Sequence, residues 1–310
     1  MVRDMIEEKF ERVPICYPFN KKNGIKINNE HIPLEDYKQF IIENRIEQAQ
    51  IIMPNLNILD YCKNLKYLNI APSYTAPANF DFSPLYEMPE VLSLNCCNHY
   101  GDKNQYISEI DYSKINGIVE LIVGINKGTK NYNRIETLKS LQVGAFCSSD
   151  VSDLFCSKEL DSLRLIECKV SSLNGIEKAT KLQCLYLHYN RTLQDIASLN
   201  KVKKTLKALR IENCPKIKDF SVLEELENLE LLELTGSNEL PSLEFVKSLK
   251  NLKTFVFNMN VKDGDLTPCL NLSYVYSGKN RKHYNLKDCE LPKGNYIRGN
   301  ENIDEWRRWE

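Results

Sequence analysis

Charged and aromatic side chains recur between leucines in the second half of the chain, at a nearly constant spacing. Arginine and tyrosine combine a large contact area with a polar or planar charged end, and both are enriched in protein-binding surfaces. Histidine and glutamate can also carry protons in acid–base catalysis. The candidate residues for these two kinds of chemistry are Arg164, Tyr186, His188, Tyr189, Arg210, Glu212 and Glu233.

The positions of the candidate residues follow a sequence pattern, the phrase LxxLxL, that recurs along the chain. Its clear copies begin at Leu160, Leu182, Leu206, Leu229 and Leu252, so that the period stays in the low twenties. Side chains alternate between the two faces of a β-strand, so the second and third leucines point inward and the residue between them points outward. Neighbouring strands lie about 4.8 Å apart. We therefore predict that the candidate residues form one patch on the outward face of adjacent strands.

A second position of the repeat, three places after the last apolar residue of the phrase, is suited to a buried turn. It carries Asn, Ser or Cys in all copies but one. These small side chains can hydrogen-bond backbone groups that would otherwise be unpaired. Phe146 is the exception, and we expect the repeat to be distorted there. The period is longest between Leu92 and Leu121, which predicts an inserted loop within residues 95–117.

The repeat resembles that of the leucine-rich-repeat proteins, and within them the roughly 22-residue class seen in bacterial internalins and in phosphatase-regulating eukaryotic repeats. The residues that carry the resemblance are Leu160, Leu163, Leu165, Cys168, Val170, Leu173 and Ile176, with their counterparts in later copies. The resemblance implies an α/β solenoid with a curved parallel β-sheet on its concave face and short helices, 3-10 turns and loops on its convex face. It also implies that a partner protein binds in the concavity, and it implies no reaction.

Each end of such an array needs a cover, because a terminal repeat would otherwise expose its apolar core. We predict an N-terminal cap in residues 1–45, a solenoid of about ten repeats in residues 46–280 that is irregular before residue 138, and a C-terminal cap in residues 281–310. The N-terminal cap contains the strand-like GIKINNEHI and the helix-like PLEDYKQFIIENRI. In the C-terminal cap, Trp306 and Trp309 are expected to pack on the last repeat or, alternatively, to be presented to a partner.

Other motifs do not fit a catalytic or metal site. The stretch GINKGTK at 124–130 lacks the spacing of a phosphate loop. The four histidines have no partner at metal-ligand spacing, and the eleven cysteines form an odd set without CxxC pairs, which favours reduced thiols. Glu212 and Glu233 lie beside Arg210, which gives neither carboxylate the raised pKa of a general acid. We therefore expect no enzyme activity, metal or cofactor.

The charge balance bears on the kind of partner. The chain has 41 basic and 42 acidic residues and a pI near 6.5, without the excess of positive charge that nucleic-acid and membrane binders show. No signal peptide or membrane-spanning stretch is evident in the sequence. We expect a cytoplasmic monomer whose partner is another protein, rather than nucleic acid or a membrane.

The main functional hypothesis is a non-catalytic protein–protein interaction module, a scaffold or adaptor, that binds its partner on the concave face. The alternative, by analogy with bacterial repeat proteins, is an immunity or regulatory protein that inhibits a toxin or enzyme. Remote alternatives are an enzyme or a nucleic-acid binder that uses the patch, although its glutamates would repel phosphates. The same side chains also fit a solvated sheet surface on which Arg210 and Glu233 neutralise one another.

Overall fold

The leucines of the repeat phrase lie inside the protein, as the alternation predicts. The structure is a computed structural model, and it describes residues 10, 12–14, 23–72, 79–96 and 108–296. Leu163, Leu165 and Leu185 are almost fully buried, and each strand that carries them places its intervening residue on the opposite face. The chain divides into two compact units at Leu141, and each unit is described by itself.

The first unit is built from parallel strands and short helices. Its strands are β1 (Arg12–Pro14), β2 (Asn23–Ile27), β3 (Gln48–Ile51), β4 (Tyr67–Ile70), β5 (Ser93–Cys96), β6 (Ile110–Asp111), β7 (Glu120–Gly124) and β8 (Thr129–Lys130). β1 pairs antiparallel with β2, and β2, β3, β4, β5 and β7 then pair in parallel in that order. β6 and β8 form a separate short parallel pair.

The helices of the first unit are α1 (Leu34–Glu43), α2 (Ile58–Tyr61) and the 3-10 segments Ser83–Leu85, Tyr112–Lys114 and Tyr132–Arg134. Tyr37, Phe40 and Ile41 of α1 are buried, as their helical spacing predicts. The ring of Phe10 lies 4.4 Å from that of Phe40 and 5.2 Å from that of Tyr37. This apolar cluster covers one side of α1.

The second unit has the more regular repeats. Its strands are β9 (Ser140–Gly144), in which the division falls, β10 (Ser162–Ile166), β11 (Cys184–His188), β12 (Ala208–Glu212), β13 (Leu231–Thr235), β14 (Glu239–Leu240), β15 (Thr254–Phe257), β16 (Asn260–Val261) and β17 (Tyr274–Tyr276). β10, β11, β12, β13, β15 and β17 pair in parallel in that order, and β14 pairs with β16. Leu163, Leu185 and Leu209 occupy equivalent positions on adjacent strands.

Short 3-10 helices alternate with these strands. They are Ile176–Lys178, Ala197–Lys201, Ser221–Glu225, Glu244–Ser248, Thr267–Cys269 and Asp288–Glu290. An Asp-x-Ser turn leads into one of them, where the Asp219 carboxylate accepts a hydrogen bond of 2.8 Å from the Ser221 amide. Among the described residues, no helix is both long and apolar enough to cross a membrane.

The predicted turn ladder is confirmed at Cys168, Asn190 and Cys214, which are buried, whereas the predicted positions Ser237 and Asn280 are exposed and the adjacent Asn238 is buried instead of Ser237. The Asn190 side chain is buried, accepts a 2.8 Å hydrogen bond from the Cys168 amide and donates a 2.9 Å bond to the Leu165 carbonyl. In the next repeat the Cys214 thiol lies 3.7 Å from the Leu187 carbonyl, as a weak hydrogen-bond donor. The ladder position therefore holds the backbone of one repeat against the next.

Four successive strands are each followed by a residue with left-handed backbone. Ala145, Glu167, Tyr189 and Asn213 have φ values of 59°, 53°, 53° and 52°. The amides of Glu167 and Tyr189 donate 2.9 Å bonds to the last carbonyl of the next strand. The expected distortion at Phe146 does not reach this turn, because Ala145 before it keeps the same conformation and Phe146 is buried.

Several predictions fall outside the described residues. These are the turn positions Ser73 and Cys97, about half of the predicted insertion (97–107), and Trp306 and Trp309 in the predicted C-terminal cap. The cap boundaries at residues 45 and 280 stay predictions.

Leu185→Ala tests the register of the repeats. The substitution opens a cavity in the middle of the stack and should lower the free energy of unfolding by about 2–5 kcal/mol. Thermal and denaturant unfolding measure this loss. The exposed control Lys204→Ala should change stability by no more than about 0.5 kcal/mol. An unchanged melting temperature for Leu185→Ala would contradict the register.

Asn190 provides a test of the turn ladder. Asn190→Ala removes the acceptor of the buried Cys168 amide and one donor to the Leu165 carbonyl, and should cost about 1–3 kcal/mol. Asn190→Cys installs the residue that the neighbouring repeats carry, whose thiol can still donate to the Leu165 carbonyl. Its loss of stability, measured by denaturant unfolding, should be smaller than that of Asn190→Ala. Equal losses would show that the ladder does not act through these hydrogen bonds.

Candidate functional site

The predicted patch is assembled by the register of four parallel strands. Arg164, Tyr186, Arg210 and Glu233 occupy equivalent positions on β10, β11, β12 and β13. His188 and Glu212 form a second row, two residues further along β11 and β12. The structure therefore brings the predicted residues together on the outward face, which follows from a side-chain period of two and a nearly constant repeat length.

Tyr186 lies at the centre of the patch, between two arginines. The guanidinium carbon of Arg164 is 4.7 Å from the centroid of the Tyr186 ring, and that of Arg210 is 5.9 Å away. A guanidinium at this distance is attracted to the electron-rich face of the ring. Both arginines therefore hold Tyr186 in place.

Glu212 connects Tyr186 with His188. The Tyr186 hydroxyl donates a 2.5 Å hydrogen bond to Glu212 Oε2, and His188 Nε2 lies 3.3 Å from Glu212 Oε1. The hydrogen bond with His188, followed by that with Tyr186, lowers the pKa of Glu212 below its ordinary value of 4.5. Burial, followed by the bond to Glu212, raises the pKa of Tyr186. Glu212 is thus an ionised acceptor, and Tyr186 is a neutral donor.

Arg210 and Glu233 form an ion pair across β12 and β13, which is the pairing expected from the alternative interpretation of the patch as a solvated sheet surface. Arg210 Nε lies 3.3 Å from Glu233 Oε2, and only 17% and 20% of the two side chains are exposed. The other oxygen of Glu233 accepts a 2.6 Å hydrogen bond from the Tyr296 hydroxyl. The ion pair is therefore largely buried, and both charges are paired with groups close to the patch.

Tyr189 supplies the most exposed aromatic surface of the patch. Its left-handed backbone places it just beyond the end of β11, where its ring meets the edge of His188 at 4.4 Å. The His188 ring in turn stacks at 5.4 Å on Tyr186. Because 37% of Tyr189 is exposed, the three rings form a strip that runs from the centre of the patch to solvent.

Tyr296 is a member of the site that the sequence did not reveal. Its ring packs at 5.1 Å against Tyr274 of β17, and its hydroxyl reaches Glu233, 63 residues earlier in the chain. No repeat position or motif includes Tyr296, since it lies after the last copy of the phrase. Only an excess of tyrosine near the end of the array, at Tyr274, Tyr276, Tyr284 and Tyr296, hinted at an aromatic surface there.

The electrostatics of the patch do not match those of a general base or a nucleophile. Such a group would need a Tyr pKa shifted down or a Glu pKa shifted up, and the pKa of Tyr186 is raised while that of Glu212 is lowered. Burial also raises the pKa of the Cys184 thiol well above its usual value, which makes it a poor nucleophile. In the described part of the chain, no three His, Cys, Asp or Glu side chains are grouped as metal ligands.

The lowered pKa of Glu212 predicts a dependence of stability on pH. Its contribution is fully present above about pH 4.5 and is lost as the pH falls through the lower pKa of the folded protein. The gap in free energy of unfolding between the parent and Glu212→Gln should therefore narrow as the pH is lowered from 7 to 3. Denaturant unfolding across this range measures the gap. A gap that does not vary with pH would show that Glu212 gains nothing from its contacts.

Comparisons with known proteins identify the fold. No family model matches the chain, and no curated protein does. Among solved structures, an internalin, InlF, from Listeria monocytogenes str. 4b F2365 is 18% identical with a TM-score of 0.54, covering 81% of this chain and 72% of its own. The functional domain of InlJ from Listeria monocytogenes, which includes a cysteine ladder, is 16% identical with a TM-score of 0.50. The alignment covers 74% of this chain and 52% of the InlJ chain.

A leucine-rich-repeat protein from Leptospira interrogans is also similar, at 16% identity and a TM-score of 0.48 over 81% of this chain and 70% of its own. The comparison rests on the two Listeria structures, whose TM-scores are 0.54 and 0.50. Their similarity agrees with the LxxLxL repeat and with the parallel strands and short helices that alternate in each unit. The chain therefore has an α/β leucine-rich-repeat fold, similar to that of the two Listeria structures.

Proposed function

We propose that the protein is a non-catalytic interaction module that binds a partner protein on the outward face of the strands of its second unit. In the leucine-rich-repeat solenoids that the chain resembles, this face lines the concavity. The observation that carries the proposal is the cluster of aromatic and arginine side chains, already ordered by contacts with one another. The proposed binding residues are Arg164, Tyr186, His188, Tyr189, Arg210, Glu212 and Glu233.

The order within the patch favours binding because it lowers the entropy lost on association. A long side chain that becomes fixed at an interface costs about 0.5–1.5 kcal/mol. Here Tyr186 is held by two guanidinium groups and by Glu212, and Arg210 is held by Glu233. A partner would therefore meet a surface formed before binding and would need little rearrangement of it.

The exposed parts of the patch suit a protein partner. Tyr189 offers its ring, and Glu212, whose carboxylate lies next to His188, keeps 35% of its side chain exposed. Aromatic anchors next to partly exposed polar groups are typical of the energetic centres of protein interfaces. On the outer part of the same face, Tyr276 exposes 45% of its surface and extends the aromatic character toward β17.

Nucleic acid is a weaker candidate for the partner. Phosphate recognition needs arginine or lysine side chains that face the ligand, as well as an electrostatic field that attracts it. Arg210 is paired with Glu233, and the ionised Glu212 lies in the next row of the same face. The carboxylates of the patch would repel a phosphate backbone.

The combined substitution Tyr186→Ala and Arg210→Ala tests the binding proposal. Partner proteins are captured from the native cell on the immobilised parent, identified by mass spectrometry, purified and titrated against each variant. Loss of two central side chains should weaken binding about 30-fold or more. The double substitution also removes a cation–π contact and an ion pair, so circular dichroism must show that the fold persists.

A matched control removes the same residue types elsewhere. Tyr61→Ala with Arg134→Ala changes two exposed residues of the first unit and should leave affinity unchanged. Undiminished binding by the patch variant would dismiss the site, and an equal loss in the control would dismiss its specificity. A tight one-to-one complex with a toxin or enzyme that loses its activity would favour the immunity or regulatory version of the proposal. Action as a cytoplasmic monomer is part of the proposal.

A further inference from the structure

The chain returns across the outward face after its last repeat strand. We name the segment Asp288–Tyr296 the strap. Its first part follows β17, where the Pro292 carbonyl accepts a 2.9 Å hydrogen bond from the Val275 amide and Gly294 donates a 3.0 Å bond to the Ser273 carbonyl. The Lys293 ammonium is 2.9 Å from Asp288 and 2.6 Å from the Val275 carbonyl. These contacts fix the strap along the free edge of β17.

The end of the strap leaves that edge and enters the patch. The Tyr296 ring rests on Tyr274 of β17, while its hydroxyl bonds to Glu233 of β13, with β15 lying between the two strands. β17 and β13 are two strand spacings apart, which corresponds to about 10 Å. The Tyr296 side chain can span this distance only if it lies across the sheet. Tyr296 therefore covers the side of the Arg210–Glu233 pair that faces β17.

We propose that the strap is an autoinhibitory contact: Tyr296 occupies part of the binding surface, and a partner must displace it and supply its own donor to Glu233. The proposal rests on the proposed function, because the surface that Tyr296 covers is the patch. The partner is thus a protein that presents a tyrosine hydroxyl or a cationic side chain to Glu233 Oε1.

The two parts of the strap are held by different groups. From Asp288 to Gly294 the strap is anchored by backbone hydrogen bonds to β17 and by an ion pair between Lys293 and Asp288. Tyr296 reaches the patch through its side chain, by a ring contact with Tyr274 and a hydrogen bond from its hydroxyl to Glu233. A side chain can change rotamer while the backbone around it stays folded. Release of the Tyr296 side chain therefore does not require β17 to unfold.

The requirement for a donor follows from the position of Glu233. Its carboxylate is only 20% exposed, and Arg210 occupies one of its oxygens. A partner that removed Tyr296 and offered only an apolar group would leave the other oxygen desolvated without a hydrogen bond, at a cost larger for a charged group than for a neutral one. Tyr296 thus selects against partners without a donor at this position.

Tyr296→Phe tests the strap without any partner, because it removes the hydroxyl and keeps the ring. The probe is glycine ethyl ester coupled to carboxylates by a carbodiimide, with the rate at Glu233 followed by mass spectrometry of the full chain. Loss of a hydrogen bond to a charged acceptor should increase the population of the released state, and hence this rate, on the order of ten-fold. Glu212, outside the reach of Tyr296, should be labelled at an unchanged rate.

Tyr276→Phe is the matched control, since it makes the same chemical change on the same face at an exposed ring. It should leave labelling of Glu233 as in the parent. Amide hydrogen exchange provides a second readout: residues 295 and 296 should exchange faster in Tyr296→Phe, whereas Gly294, which is bonded to Ser273, and the amides of β13 should not. Faster labelling together with faster exchange of residues 295 and 296 supports the strap. Unchanged labelling, or faster labelling without faster exchange of these two residues, overturns it.

The identified partner separates this proposal from the proposed function. If the partner binds the parent at the patch, Tyr296→Phe should bind it more tightly, by a factor similar to the rise in labelling. Weaker or equal binding would overturn autoinhibition and make Tyr296 an ordinary contact residue. Failure of the Tyr186/Arg210 substitutions to weaken binding would instead reject the proposed function, while the labelling and exchange results would still decide whether the strap opens.

Discussion

A single repeat of this chain cannot bury its own leucines, because a strand and a short 3-10 helix enclose too little volume. Stacking solves this problem only if each strand keeps the same register as its neighbour. Leu163, Leu185 and Leu209 meet that condition at one level of the sheet. The turn ladder at Cys168, Asn190 and Cys214 supports it by satisfying backbone groups that stacking removes from water. The outward patch is a by-product of this register, since aligning the leucines also aligns the residues between them.

The sequence predicted the features that follow from periodicity. Alternation along LxxLxL predicted both the buried leucines and the row that contains Arg164, Tyr186 and Arg210. It did not predict the left-handed residue after each strand, because Ala145, Glu167 and Tyr189 are not residue types that signal positive φ. Phe146 was expected to distort its turn, yet the turn is formed by the backbone hydrogen-bond pattern and tolerates a buried aromatic side chain.

Tyr296 illustrates a different limit. Its contacts depend on where the chain goes after the last strand, and a contact between residues 63 positions apart outside the repeat has no periodic signature. The contacts of the Glu212 carboxylate show another limit. Sequence spacing placed Glu212 near Tyr186 and His188, which lie on one neighbouring strand. Which of these side chains form hydrogen bonds depends on their rotamers and packing, and a pattern of residue types does not specify these.

The order of the repeats is itself constrained by the outward row. Arg164 and Arg210 are separated by one strand, and Tyr186 fills the interval between their guanidinium groups. If the repeat that carries β11 were lost, the leucines of its neighbours could still stack in register, but the two arginines would become direct neighbours about 4.8 Å apart and would repel. The buried leucines are equivalent from one repeat to the next, whereas the outward residues are not. Loss or exchange of a repeat would therefore change the charge pattern of the surface even where the leucines remained stacked.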